Sequence, residues 1–305
     1  MSRTLLDVLD DAARLAPDEQ IVQLRTDGRE DVQTYAALDT ESRAVGVGLA
    51  ALELERGAPV LVLCDRGDDF VRAFWGALRA GLVPVPLAPD PEKLLSVFAA
   101  LERPPIVVCD DLAPLLEAGA AQMGMNARVL RTASLAAGTG DASALDAIAR
   151  PHPDDVAYLQ FSSGSTASPK GVEITHANVL ANLAQMRVSC GIREGDVVVS
   201  WMPYFHDMGL VGTHLMPLAC RFRQVKMGPL DFVRDPAAWL AAAHRHRATL
   251  LSAASFALGL ITRRVPDEAL DALDLSTVRM LGVGAEPISA RAVRAFSEKL
   301  ARARL

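Results

Sequence analysis

The densest chemistry in this 305-residue sequence lies at residues 162–171, where Ser162, Ser163, Gly164, Ser165, Thr166, Ala167, Ser168, Pro169, Lys170 and Gly171 follow one another. The stretch Tyr158-Leu159-Gln160-Phe161 runs directly into it, as a buried strand runs into a loop. Small side chains let backbone N–H groups come close to an anion, and successive N–H groups in a turn form an anion-binding concavity. Serine and threonine hydroxyls add donors, the Thr166 oxygen can face a metal ion, and Lys170 brings a mobile positive charge. These are the requirements of a triphosphate. The order is not that of a Walker loop, which places Gly before the Lys and Ser or Thr after it. Here Pro169 precedes Lys170 and Gly171 follows it.

A second group is Ser200-Trp201-Met202-Pro203-Tyr204-Phe205-His206-Asp207-Met208-Gly209-Leu210. The residues alone leave two readings of it. Asp207 suits the N-cap of a following helix, with His206 a satisfied structural side chain. Alternatively, His206 lines a pocket beside a reacting carboxylate. A third group is Leu281-Gly282-Val283-Gly284-Ala285-Glu286-Pro287-Ile288. It reads as a buried strand ending in glycines, which let a planar ring lie flat on the backbone, and equally as an ordinary strand–turn–helix link. Segment 248–264 is apolar enough for a pocket wall or for plain core. No carboxylate pair is spaced for acid–base work, and no Ser-His-Asp arrangement follows from spacing. His152, His176, His214, His244 and His246 lack metal-ligand spacing with nearby acids.

Strands and helices must hold these loops, and the hydrophobic pattern supplies them. Helices are predicted over 5–15, 35–54, 68–80, 92–102 and 112–119, with strands over 21–24, 60–64, 82–87 and 105–109. Residues 133–153, rich in Ala, Gly, Ser, Asp and Pro, read as a connection interrupted by a helix at 142–149. Beyond it come strands at 156–161, 197–200, 222–227, 248–252 and 277–282, and helices at 175–188, 207–218, 235–247, 254–264 and 288–303. Strands alternating with helices mean βαβ units and mostly parallel sheets flanked by helices. The expectation is an α/β protein in two lobes, 1–150 and 151–305, the second carrying the phosphate loop and an acyl pocket.

Composition narrows the class. The net charge is −6, with Lys and Arg dispersed, which argues against nucleic acid as a partner. Cys64, Cys109, Cys190 and Cys220 form no C-x-x-C pair, so they read as small buried residues of a reducing cytosol rather than a zinc or redox motif. The first residues have no apolar core of a signal peptide, and the uncharged stretch 248–261 is shorter than the roughly 20 residues a membrane span needs. A cytoplasmic protein without a membrane span is expected.

The stretch 162–171 resembles the phosphate-binding signature of the adenylate-forming superfamily, which includes acyl-CoA synthetases, luciferases and non-ribosomal adenylation domains. It departs at Ala167, where the family usually has Gly. The wording Phe205-His206-Asp207-Met208-Gly209-Leu210 is similar to that of one branch, the fatty acyl-AMP ligases, as are residues 228–240, Ser255-Phe256 and Gly284-Ala285-Glu286-Pro287. Val283 and Ser255 stand where the branch commonly has Asn.

The resemblance implies ATP-dependent activation of a carboxylic acid, a fatty acid in this branch, to an acyl-adenylate for transfer to an acyl carrier protein, or alternatively to CoA. It assigns nucleotide binding to Ser162, Ser163, Gly164, Ser165, Thr166, Lys170, Gly171, Gly284, Ala285, Glu286 and Pro287, with Mg²⁺ near Thr166. It assigns acid binding to His206, Asp207, Met208, Gly209, Ser255 and Phe256, with His206 also the catalytic candidate. The family's later elements, ending in a small domain with a catalytic Lys, have no counterpart before Leu305. A chain inactive alone is therefore expected, and a non-catalytic acyl- or nucleotide-binding module is the reading from a different class.

Overall fold

The computed structural model describes residues 3–122, 124–138, 143–161 and 169–305. Among these the strands are, in chain order, β1 Gln20–Leu24, β2 Glu30–Thr34, β3 Pro59–Leu63, β4 Val83–Pro86, β5 Ile106–Val108, β6 Val129–Arg131, β7 Val156–Phe161, β8 Gly171–Thr175, β9 Val197–Ser200, β10 Arg223–Lys226, β11 Leu250–Ala254 and β12 Met280–Gly284. The chain divides into two compact units. One is Met1–Asp18 with Tyr35–Ala184, and the other is Glu19–Thr34 with Gln185–Leu305. Segment 19–34 thus groups with the later part of the chain, and 151–184, with the hairpin that bears the phosphate loop, groups with the earlier part.

The first unit holds a parallel sheet in the order β4-β3-β5-β6 and a separate antiparallel hairpin, β7-β8. Strands β3 and β5 are almost wholly buried, which explains their unbroken apolar sequences Val60-Leu61-Val62-Leu63 and Ile106-Val107-Val108. Helices Tyr35–Ala50 and Gly67–Arg79 approach closely because glycines leave room. A Cβ on Gly76 would lie 2.7 Å from Val45 Cγ1; Gly48 likewise makes room for the short helix Thr132–Ala136, since a Cβ there would lie 2.4 Å from the Leu135 carbonyl oxygen. Arg79 is buried beside them and pairs with Asp39 and, at 3.1 Å, with Asp10, which keeps its charge compensated.

The second unit is a six-stranded sheet in the order β12-β11-β9-β10-β1-β2, parallel except for the antiparallel β1–β2 pair. Strand β2 is absent from the sequence prediction. Its turn was readable all the same: Asp27-Gly28 places Gly28 at φ +83°, a conformation that favours glycine. On one face Trp201, Phe232, Trp239 and Phe296 form the centre of the core, and the Trp239 indole N–H donates to the Val199 carbonyl at 3.2 Å.

The mostly parallel α/β architecture agrees with the sequence expectation. Three local expectations need correction. The helix expected at 207–218 is a π-helix, Met208–Leu215, followed by an α-helix, Met216–Cys220, that restarts at Pro217. Strands β6 and β8 and the short helices Pro229–Arg234 and Asp267–Asp271 were unread, because each is short and half exposed. The helix expected at 142–149 is the single turn Ser143–Asp146.

Gly48 gives a direct check on the first unit. The substitution Gly48→Ala forces a methyl against backbone and is expected to destabilise by about 1–3 kcal/mol. Gly212→Ala, whose Cβ would meet nothing nearer than Met186 Cε at 3.8 Å, is expected to be near-neutral. Thermal unfolding of the two variants measures the difference.

Candidate functional site

In the first unit, hairpin β7-β8 closes the phosphate-loop sequence at its base, where Phe161 pairs with Gly171. The Phe161 ring lies against Gly171, so a Cβ there would sit 2.8 Å from its Cζ. This is a packing reason for the glycine after Lys170. Phe161 is in turn held in an apolar cluster with Leu63, Val85, Leu87 and Leu94, and Lys93 Nζ donates to its carbonyl at 3.4 Å. Lys170 is exposed at the loop's far end. The expected phosphate and metal residues Ser162, Ser163, Gly164, Ser165 and Thr166 lie outside the described residues.

His176 opens the helix after β8. It is buried, and its Nδ1 accepts the Leu5 N–H at 3.2 Å, which gives it a structural role. Burial pushes its pKa down to about 4.

In the second unit the remaining expected residues gather at the carboxyl ends of the parallel strands, the edge where open α/β sheets bind ligands. Ser200 ends β9, and its Oγ accepts the Met202 N–H at 3.1 Å and lies 3.3 Å from Ser252 Oγ on β11. Trp201 stacks on Phe232, with ring centroids 4.2 Å apart, and meets the half-exposed Phe256 edge-on at 5.6 Å. The Phe256 N–H donates to Glu286, which ties the segment after β11 to the segment after β12. Ser255 Oγ adds a second tie by accepting the Ser289 N–H at 3.4 Å. Met208 reaches the same edge, since a Cβ on Gly284 would lie 3.9 Å from its Cε. Ala285 holds φ +68°, a left-handed backbone that an alanine adopts only under strain, of a kind that clusters at functional sites.

The His206 segment enters this edge through a tight turn. Gly209 is pressed on Pro203 so closely that a Cβ would be 2.0 Å from the Pro203 carbonyl oxygen. Asp207 caps the π-helix by accepting the Met208 N–H at 2.6 Å, and His206 Nδ1 lies 2.7 Å from its Oδ1. The His206 contact and the Met208 N–H together hold the Asp207 carboxyl below the usual range. The His206 side chain is 41% exposed, so the cap and an open imidazole coexist: the two sequence readings are compatible.

Beneath the π-helix lies a buried polar layer that the sequence did not announce. Lys226, at the end of β10, donates to Thr213 Oγ1 and lies over the Tyr204 ring, 4.4 Å from its centre. Thr213 donates to the Gly209 carbonyl at 2.8 Å, His214 Nδ1 meets Gln224 Oε1 at 3.0 Å, and Gln23 donates to the Tyr204 hydroxyl at 3.3 Å. Burial lowers the His214 pKa to about 3 and the Lys226 pKa to about 7. Sequence pattern marks none of these positions, because alternation along β10 reads Gln224 and Lys226 as solvent-facing. No group of three His, Cys, Asp or Glu side chains fit for a metal ion occurs among the described residues, and no helix there is long and apolar enough to cross a membrane.

An α/β scaffold with candidate residues at strand ends defines a class, and comparison with known proteins identifies it. Residues 9–305 match the AMP-binding enzyme family, and the chain belongs to that family. It is 32% identical to a 4-hydroxyphenylalkanoate adenylyltransferase of Mycobacterium tuberculosis, over 98% of this chain and 50% of that protein. It is 29% identical to a medium-chain-fatty-acid–acyl-carrier-protein ligase of Moorena producens, over 96% of this chain and 51% of that protein. A solved structure of fatty acyl-adenylate ligases from E. coli and L. pneumophila superposes with a TM-score of 0.91 at 36% identity, covering 99% of this chain and 55% of that one. The chain spans about half the length of the curated relatives it matches.

The buried histidines set a pH dependence. His176 stays neutral in the folded chain down to about 4, whereas an unperturbed imidazole titrates near 6.5. Between those values the unfolded state binds more protons, so stability falls as pH falls through that window. His176 alone accounts for a loss of about 3 kcal/mol from neutral pH to pH 4. The substitution His176→Asn keeps an acceptor for the Leu5 N–H but cannot titrate. Urea unfolding at pH 7 and pH 5 is expected to show a smaller loss in this variant than in the parent.

Proposed function

We propose that this chain carries the nucleotide- and acid-binding part of an enzyme that joins a carboxylic acid to the AMP moiety of ATP, releasing pyrophosphate, and passes the acyl group to a carrier protein. One observation carries the reading: the residues after β9, β11 and β12 that the family resemblance marks for acid and nucleotide are tied to one another at one sheet edge. Relatives named for adenylylation and for acyl-carrier-protein ligation support it.

In this reading residues 162–171 hold the phosphates of ATP, with Lys170 supplying positive charge and Thr166 the residue that would hold Mg²⁺. The donor set suits a polyphosphate, since hydroxyls, close backbone and a lysine are all hydrogen-bond donors. Bound Mg²⁺ would offset charge on the phosphates. The chain's own residues do the positioning. Gly284, Ala285, Glu286 and Pro287 present flat backbone to the adenine. Glu286, fixed by the Phe256 N–H, holds that segment against the one after β11. His206, open to solvent and oriented by Asp207, stands with Met208 and Gly209 beside the carboxylate of the acid, and Ser255 and Phe256 complete the wall. Donors already in place at developing charge are commonly the largest catalytic contribution. A fatty or arylalkyl acid is the substrate class these relatives suggest.

Two measurements test this. Incubation of the full-length gene product with ATP, Mg²⁺ and a panel of fatty and arylalkyl acids is expected to yield an acyl-AMP mass for at least one acid. Lys170→Ala is expected to weaken ATP binding about tenfold or more by calorimetry, the loss of one charge-assisted contact. Equal ATP affinity in the two proteins removes Lys170 from the site.

A further inference from the structure

The polar layer beneath the helix Met208–Leu215 is out of character for a wall that meets a plain alkyl chain. Lys226 is its centre. The side chain is 2% exposed, ends β10 in register with Ser200, and forms no ion pair with an Asp or Glu among the described residues. An ammonium has three N–H donors. Thr213 Oγ1 accepts one, and the face of Tyr204 lies beside the group.

The neighbours have no negative charge to offer, and each is already engaged. Thr213 spends its own proton on the Gly209 carbonyl, Gln224 is engaged with His214, and the Tyr204 hydroxyl takes the Gln23 amide. Lys226 is also close to the proposed chemistry. One hydrogen bond links it to Thr213, a second links Thr213 to Gly209, and Gly209 packs on the turn that carries His206. A buried cation with donors to spare and no counter-charge calls for an acceptor from outside the chain.

We propose that Lys226 is a specificity-determining residue: its amine receives a second acceptor group, a carboxylate, carried on the chain of the substrate acid, so that the site prefers a dicarboxylic acid to the matching plain alkyl acid. This rests on the reading of the sheet edge as the acid site and names the substrate class within it. The linkage is consistent. Burial holds the Lys226 amine near a pKa of about 7, so the ligand-free side chain is only partly charged at neutral pH. An entering carboxylate stabilises the charged form, and the amine takes up a proton on binding. The other titratable groups facing it are Tyr204, whose hydroxyl is bonded to Gln23, and His214, which burial keeps neutral down to about 3.

The test is calorimetry on the full-length gene product with non-hydrolysable acyl-sulfamoyl adenosines, made from a series of monoacids and the matching α,ω-diacids. The best diacid analogue is expected to bind about tenfold tighter than its monoacid partner. Lys226→Met is expected to abolish that preference while still binding the monoacid analogue. In the parent protein, diacid binding is expected to take up protons, seen as a binding heat that varies with the ionisation enthalpy of the buffer. This measurement needs no variant, so it decides the matter even where Lys226→Met fails to fold. Monoacid analogues that bind as tightly as diacids, with no proton uptake, overturn the inference and leave the acid-site reading standing. Binding of no analogue at all overturns both.

Discussion

The account depends on the parallel pairing of four strands in the second unit. Strands β9, β10, β11 and β12 run in the same direction and stay in register, with Ser200 opposite Lys226 and Ala254 opposite Gly284. Their carboxyl ends therefore deliver Trp201, Lys226, Phe256 and Glu286 to one edge, although these residues are far apart in sequence. Parallel pairing requires helical crossovers between strands, and the crossovers cover both faces. Only the strand ends and the loops beyond them remain free to carry chemistry.

Close contacts fix those loops. Gly209 on Pro203 and the Glu286 link to the Phe256 N–H each define a turn through a contact that admits little else, as Gly171 under Phe161 does within the first unit. The π-helix after Asp207 belongs with them. Such helices are rare, and they are frequent at functional sites. Here it coincides with a Thr213 side chain that bonds the Gly209 carbonyl and with a lysine that bonds Thr213. The strain at Ala285 lies in the same neighbourhood.

Much of the fold was legible because buried parallel strands write themselves as unbroken apolar runs. Val60-Leu61-Val62-Leu63 and the alternation of such runs with helical periods gave the class and most element positions. Strand β8 escaped because Gly171-Val172-Glu173 is exposed and pairs with one neighbour only, so no hydrophobic pattern marks it. The π-helix escaped because apolar spacing over eight residues does not separate it from an α-helix. Among the candidate residues, motif wording marks His206, Asp207, Met208, Gly209, Ser255, Phe256 and Gly284-Ala285-Glu286-Pro287, and the structure places Met208, Phe256, Gly284 and Glu286 at one edge. Lys226 was not legible. A charged residue in a strand reads as solvent-facing, yet Lys226 is buried, with Thr213 of the π-helix and the Tyr204 ring against its amine.

The central claim is that this edge and the loop 162–171 serve adenylation of a carboxylic acid. Acid-dependent exchange of labelled pyrophosphate into ATP, measured on the full-length gene product, tests it most directly. The account predicts that label enters ATP only when a suitable carboxylic acid is present. Exchange that proceeds equally without any acid, or that is absent with every class of acid supplied, would contradict it.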